Sequence, residues 1–196
     1  LKAAETDPSK APEPNFQLEA LVPVVRGEMR CRIHAHRSDD IMTAVKIAEE
    51  FHLDYTIEHC TEGYMIVDAL KRHHVRATIG PYLWGPEKQE LWNMSMENPG
   101  ILAQNGIDIA LTADDGSRTA YLPATIGLLL RRGLSEKAAF EGVTIQPART
   151  LQLEDRIGSL EPGKDADIAI FDGHPFSSLS ACRMTIIDGK IVHNTL

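Results

Sequence analysis

Imidazole and carboxylate groups fall together at three places along the chain, each at the end of a short apolar run: His34 with His36, then His59, then Asp114 with Asp115. His34 and His36 are two residues apart, so on an extended strand both rings project to one face. Two imidazole positions and a carboxylate gathered in one place form a donor set for a divalent, zinc-type ion with a position left for water. The carboxylate can then take the proton that an attacking water loses. A single histidine is more often a hydrogen-bonded core or surface residue, so this chemistry rests on the combination and not on His36 alone. Trp84 and Trp92 flank the loop after the third apolar run, where an indole either lines a pocket or packs. His73-His74 falls at a helix end, where a cation suits the dipole.

The elements that must position these residues follow a strand-helix rhythm. Residues 31–35 form an apolar run, and Ile41, Val45, Ala48 and Phe51 then lie on one helical stripe. A second strand is expected over 55–57, a helix using Tyr64, Val67 and Leu70 after it, and a third strand over 77–79 that ends in the Gly80-Pro81 breaker. Asn98 as N-cap, Pro99 in the first turn and Gly106 just past the end frame a short helix, with a strand over 107–111 beyond it. Helices over 121–132 and 135–142 follow, each stopped by glycine. Strands alternating with helices imply right-handed crossovers and a parallel sheet with its chemistry at the carboxyl ends of the strands. That is where the histidines and aspartates above lie. Upstream, Leu18, Leu21, Val22 and Val25 have helical spacing, with Pro23 distorting the helix. Residues 1–16, which include Pro8, Pro12 and Pro14, read as a flexible lead-in. Residues 151–196 change character: Gly158, Pro162, Gly163, Gly173, Pro175 and Gly189 punctuate short β runs, which predicts a small antiparallel element.

Composition sets outer limits. The 196 residues are 43% hydrophobic and 24% charged, with 20 basic against 28 acidic side chains and a net charge of -8. That balance belongs to a globular chain able to bury a core and offers no basic face to nucleic acid. No stretch approaches the roughly 20 apolar residues that span a bilayer, and a cytoplasmic protein without membrane or nucleic-acid partners is expected. Cys31, Cys60 and Cys182 are odd in number and widely spaced, which suggests reduced thiols and neither a disulfide framework nor a zinc knuckle.

The run from Arg156 through Ile157-Gly158-Ser159-Leu160-Glu161-Pro162-Gly163-Lys164-Asp165-Ala166-Asp167 to Ile170, followed by Ile187-Asp188-Gly189-Lys190-Ile191-Val192, resembles the C-terminal segment of the amidohydrolase superfamily of metal-dependent hydrolases. The Thr144-Ile145-Gln146-Pro147-Ala148 turn and the segment Ala110-Leu111-Thr112-Ala113-Asp114 are similar to the family pattern in the same order. The resemblance implies a (β/α)8 barrel with one or two metal ions, zinc in type, a small β-sandwich, and hydrolysis of C–N bonds in a small molecule. By position, Ile33-His34-Ala35-His36 resembles the fifth barrel strand with His34 as a metal ligand. Ile57-Glu58-His59 resembles the sixth, with His59 as a ligand and Glu58 structural, pointing away from it. Asp114 matches the eighth-strand aspartate that binds metal and activates water. His36 and Trp84 would be substrate contacts. Asp115 could tune that water, accept a substrate donor or cap the following helix. Around Ile57-Glu58-His59-Cys60-Thr61-Glu62-Gly63 and Gly80-Pro81 the chain is most similar to imidazolonepropionase-like and dipeptidase-like members, with deaminases also open.

His34-x-His36 also looks like the His-x-His of the family's first strand, and chain length separates the two. From His34 to Asp114 there are 114 minus 34, or 80 residues, whereas seven further strand-helix units at roughly 30 residues each need about 210. The expected fold is therefore α/β, with residues 17–150 as the C-terminal half of a TIM barrel, strands five to eight, and 151–196 as the β-sandwich segment. Such a half should expose two unpaired edges and a large apolar inner face. A sequence opening on Leu1 reads as part of a longer polypeptide, completed by the missing N-terminal half or by self-association. The alternative is a truncated half barrel kept as a non-catalytic scaffold or interaction subunit.

Overall fold

The computed structural model describes residues 5–11, 13, 15–83, 85 and 87–196. Two single-turn helices, α1 (Phe16–Glu19) and α2 (Val22–Val25), replace the one helix expected there. The break follows from Pro23, which lacks the N–H a continuing helix needs and instead takes the first turn of α2. The strand-helix rhythm then appears: β1 (Cys31–Ala35), α3 (Ser38–Glu50), β2 (Tyr55–His59), α4 (Val67–Arg72), β3 (Ala77–Ile79), α5 (Asn98–Gln104), β4 (Ile109–Leu111), α6 (Leu122–Arg131), α7 (Glu136–Val143) and α8 (Ile145–Thr150). The α8 helix occupies the segment expected to be a turn. Pro147 lies at the third residue of α8, within the first turn, where no intrahelical donor is lost.

The four strands form one parallel sheet in the order β1-β2-β3-β4. Register places Ile33 beside Ile57, Ile57 beside Ala77 and Ala77 beside Ile109, so one face carries an apolar row. Against it pack Ile41 and Val45 of α3, Leu70 of α4, Leu102 of α5, Ile126 and Leu129 of α6 and Ala139 of α7, all buried. Each large side chain buried this way contributes about 1.5–3 kcal/mol. Phe51, expected on the same stripe, caps the end of α3 and is 53% exposed.

The opposite face differs from expectation. By the same register it presents Arg32 and His34, Thr56 and Glu58, Thr78, and Ala110, a polar surface and not a large apolar one. Glu58 is the centre of it: its carboxylate accepts from Arg32 Nε at 2.9 Å and from the hydroxyls of Thr56 and Thr78 at 3.1 Å each. Burial alone would raise the Glu58 pKa, but the Arg32 charge and these hydrogen bonds outweigh it and hold the carboxyl below its ordinary range.

At the amino ends of the strands Asp54 joins Arg30 and Arg76 in one ion cluster, and Arg30 also donates to the backbone carbonyls of Arg149 and Thr150 at the end of α8. The C-terminal portion is a three-stranded antiparallel sheet of β5 (Ile168–Phe171), β6 (Cys182–Ile187) and β7 (Lys190–Asn194). It approaches α6 closely at Gly127, where a Cβ would stand 2.3 Å from the Phe176 carbonyl oxygen. Among the described residues no helix is long and apolar enough to cross a membrane.

Candidate active site

Strand alternation brings His34 to the polar face, because it shares parity with Arg32 and sits beside Glu58 in register. His59 by the same rule would follow Ile57 toward the helices. It does not, because the backbone turns at the end of β2: His59 and the next residue, Cys60, have φ of 69° and 44°. Two consecutive non-glycine residues in the left-handed region are uncommon and persist only where surrounding contacts hold them. Here the turn re-aims the His59 ring so that its centroid lies 4.4 Å from that of His34 and 4.4 Å from that of His36. Asp114, with φ of 53°, repeats the device beyond β4, and its backbone N–H is held by the Thr112 hydroxyl at 3.1 Å.

The nitrogen geometry is specific. His59 Nδ1 lies 2.6 Å from the Gly80 carbonyl oxygen; a carbonyl only accepts, so this nitrogen carries the proton and Nε2 presents its lone pair. That Nε2 is 3.1 Å from His34 Nδ1. The Gly80 carbonyl is in reach because β3 and β4 end close together, and at φ of 129° a Cβ on Gly80 would stand 2.2 Å from the Thr112 carbonyl oxygen. His36 completes a trio whose nearest donor atoms all lie within 4.8 Å of one another. Its Nδ1 is 2.8 Å from the Thr61 hydroxyl, and its Nε2 is 3.4 Å from Lys88 Nζ and 3.7 Å from a Glu90 oxygen. Burial, and then the neighbouring His59 and Lys88, push the His36 pKa down to about 4, so the ring is neutral at pH 7. His34 is shifted the same way, by burial and then by His59 and Lys88.

These rings open into a cleft of about 380 Å³ that Asp114, Asp115, Lys88 and Arg118 also line. Asp114 thus shares the cleft with His34 and His59, while the tightest donor trio among the described residues includes His36. Asp115 Oδ1 accepts from the Ser117 N–H and hydroxyl at 2.6 and 2.5 Å, which ties down the turn after β4, while the short helix Thr119–Tyr121 has Arg118 at its cap position. Trp84 lies outside the described residues, and Trp92, 68% exposed, does not line the cleft. Sequence reasoning missed Thr61, Lys88 and Arg118, which have no periodicity to mark them; the only available signal was their place on the segments that follow β2, β3 and β4.

The description "Amidohydrolase family" fits residues 14–193 of this chain. The chain belongs to the amidohydrolase family. A crystal structure of an amidohydrolase from Thermotoga maritima superimposes with a TM-score of 0.91 at 37% identity, covering 99% of this chain and 51% of that one. Adenine deaminase 2 of a Jannaschia species is 41% identical over 88 residues, 42% of this chain and 14% of that protein. Imidazolonepropionase of Geobacillus thermodenitrificans is 35% identical over 103 residues, 47% of this chain and 24% of that protein. This amidohydrolase chain therefore spans about half the length of the Thermotoga structure and a smaller share of the two enzymes.

Proposed function

We propose that this chain is the C-terminal half of a (β/α)8 amidohydrolase barrel and supplies His34, His59 and Asp114 to a divalent metal site that hydrolyses a C–N bond of a small molecule. The observation that carries the reading is the 3.1 Å separation of His34 Nδ1 and His59 Nε2 with His59 Nδ1 committed to Gly80. Two nitrogens on one tetrahedral zinc at about 2.0–2.1 Å each stand roughly 3.3 Å apart, so the donor set fits such an ion. The backbone hydrogen bond on the far nitrogen is the support that metal-binding imidazoles ordinarily have. The similarity to an adenine deaminase and an imidazolonepropionase supports amidine or cyclic amide substrates.

A zinc-type ion in this position supplies Lewis acidity, acidifying water and polarising the scissile carbon. The chain's own residues do the rest. His34 and His59 hold their lone pairs toward one point, and the Gly80 carbonyl keeps the His59 ring from turning. Asp114 accepts the proton that the attacking water loses and returns it to the departing nitrogen. His36, neutral and fixed by Thr61, orients the substrate with Nε2, and Asp115 borders the substrate. The barrel's remaining strands, or a second copy, would pair with the outer edges of β1 and β4, which among the described residues are hydrogen-bonded on one side only.

In the protein with its barrel completed by the missing strands, zinc content and hydrolysis of a panel of cyclic amides, amidines and dipeptides test this reading. His59→Ala is expected to remove zinc, and Asp114→Asn to lower turnover by at least about 100-fold while leaving most of the zinc bound. A zinc-free protein inert toward the whole panel would favour the scaffold reading instead.

A further inference from the structure

Asn98 is a polar side chain with no solvent exposure that the chemistry above does not use. It begins α5 but does not cap it; the residue before it, Glu97, occupies the cap position. Its amide instead reaches across to the turn that leaves β2. Oδ1 accepts the Tyr64 N–H at 2.9 Å, and Nδ2 donates to the Cys60 carbonyl at 3.1 Å. Those two backbone groups bracket residues 60–64, the turn that has His59 at its entrance and Thr61, the partner of His36, inside it.

This turn opens on Cys60, the second of the two consecutive left-handed residues that aim His59 away from the helices and toward His34. A backbone conformation of that kind relaxes unless surrounding contacts hold it. Glu62 ties the turn to the Ser38 N–H and to Asn93 through its side chain, each at 2.7 Å. Asn98 grips the backbone itself, next to the residue whose φ is 44°. Gly63 leaves room for this contact, since a Cβ there would stand 2.7 Å from Cys60 Sγ and 3.4 Å from Asn98 Oδ1. With Asn98 removed, the part-buried Tyr64 N–H loses its partner and the Cys60 carbonyl keeps only the Gly63 N–H within the turn at 2.9 Å, so nothing from α5 holds the turn any longer.

We infer that Asn98 is a positioning residue for the histidine site: by clamping both ends of the 60–64 turn it fixes the direction of His59 and, through Thr61, of His36. The zinc arm of its test rests on the metal reading given above; the tautomer arm does not.

The full chain is compared with Asn98→Ala and with Ile126→Ala, a buried truncation in α6 of comparable expected destabilisation. Asn98→Asp, which keeps the acceptor for Tyr64 and loses the donor for Cys60, takes the place of Asn98→Ala if the latter does not fold. One readout is the histidine tautomer at pH 8 by long-range proton–nitrogen correlation, and the other is zinc affinity by competition with a chromophoric chelator. The wild-type chain should show His59 as a single Nδ1–H tautomer. The Asn98 variant should show a mixture and a zinc dissociation constant raised about 10–100-fold, while Ile126→Ala changes neither. An unchanged His59 tautomer in the Asn98 variant, or an equal change in Ile126→Ala, would overturn the inference. A tautomer change confined to the Asn98 variant, with no zinc bound by any protein, would uphold Asn98 and overturn the metal reading.

Discussion

At the scale of single residues the site depends on where a few backbone atoms are allowed to be. Gly80 shows this most directly, since its φ of 129° and the nearby Thr112 carbonyl leave no room for a Cβ, and its own carbonyl orients His59. Gly80→Ala is expected to cost at least about 2 kcal/mol in urea unfolding and to weaken zinc binding, whereas a purely conformational effect would leave zinc affinity intact. His36 gives a second expectation. With its pKa pushed down to about 4, chiefly by burial, it stays almost wholly neutral between pH 8 and pH 6. Its ring resonances should stay nearly constant over that range and have their titration midpoint near pH 4, whereas an ordinary histidine titrates near 6.5. The His-x-His spacing was legible in the sequence, as was the shared face of its two rings. That His36 is neutral and pinned to Thr61 was not, because burial and a hydroxyl from another loop set both.

At the scale of elements, caps and ion clusters decide how the strands are held. Ser135 accepts the Ala138 N–H at 3.2 Å as the N-cap of α7, and Ser135→Ala should lower stability by about 1 kcal/mol. Asn98 carries the same kind of local signal and does something else, because Pro99 already satisfies the helix start and the amide is drawn into a tertiary contact. Asp54 links the amino ends of β1, β2 and β3 through Arg30 and Arg76. Burial raises its pKa, but the two arginines outweigh burial and hold it below the ordinary value, near 3.9 for an unperturbed Asp. Its stabilising effect is therefore complete above that value and is lost as pH falls through the lowered folded value. Asp54→Asn should be less stable than wild type by about 1–2 kcal/mol at pH 7, with the gap closing in chemical denaturation below pH 4. The opposite trend would show that the cluster does not act through the charged carboxylate.

At the scale of the whole molecule, one sheet face is closed by five helices and the other presents Arg32, His34, Thr56, Glu58 and Thr78. The outer edges of β1 and β4, together with Phe16, 92% exposed on α1, lead us to expect sedimentation of the isolated 21.7 kDa chain above monomer mass. A monomer that unfolds cooperatively would mean that the polar face tolerates water without a second half. The sequence by itself determined the order of strands and helices, the parallel sheet and the strand-end placement of His34, His36, His59 and Asp114. These follow from periodicity, glycine and proline signals and the length between motifs, all of which are local. Only the tertiary structure decided that His59 turns inward against its own alternation, that Gly80 supplies its hydrogen bond, that Asn98 serves the β2 turn instead of its helix, and that the helix-free face is polar. Each of those depends on atoms brought together from segments 20 to 40 residues apart, through close approach and buried hydrogen bonds that no single stretch of sequence encodes.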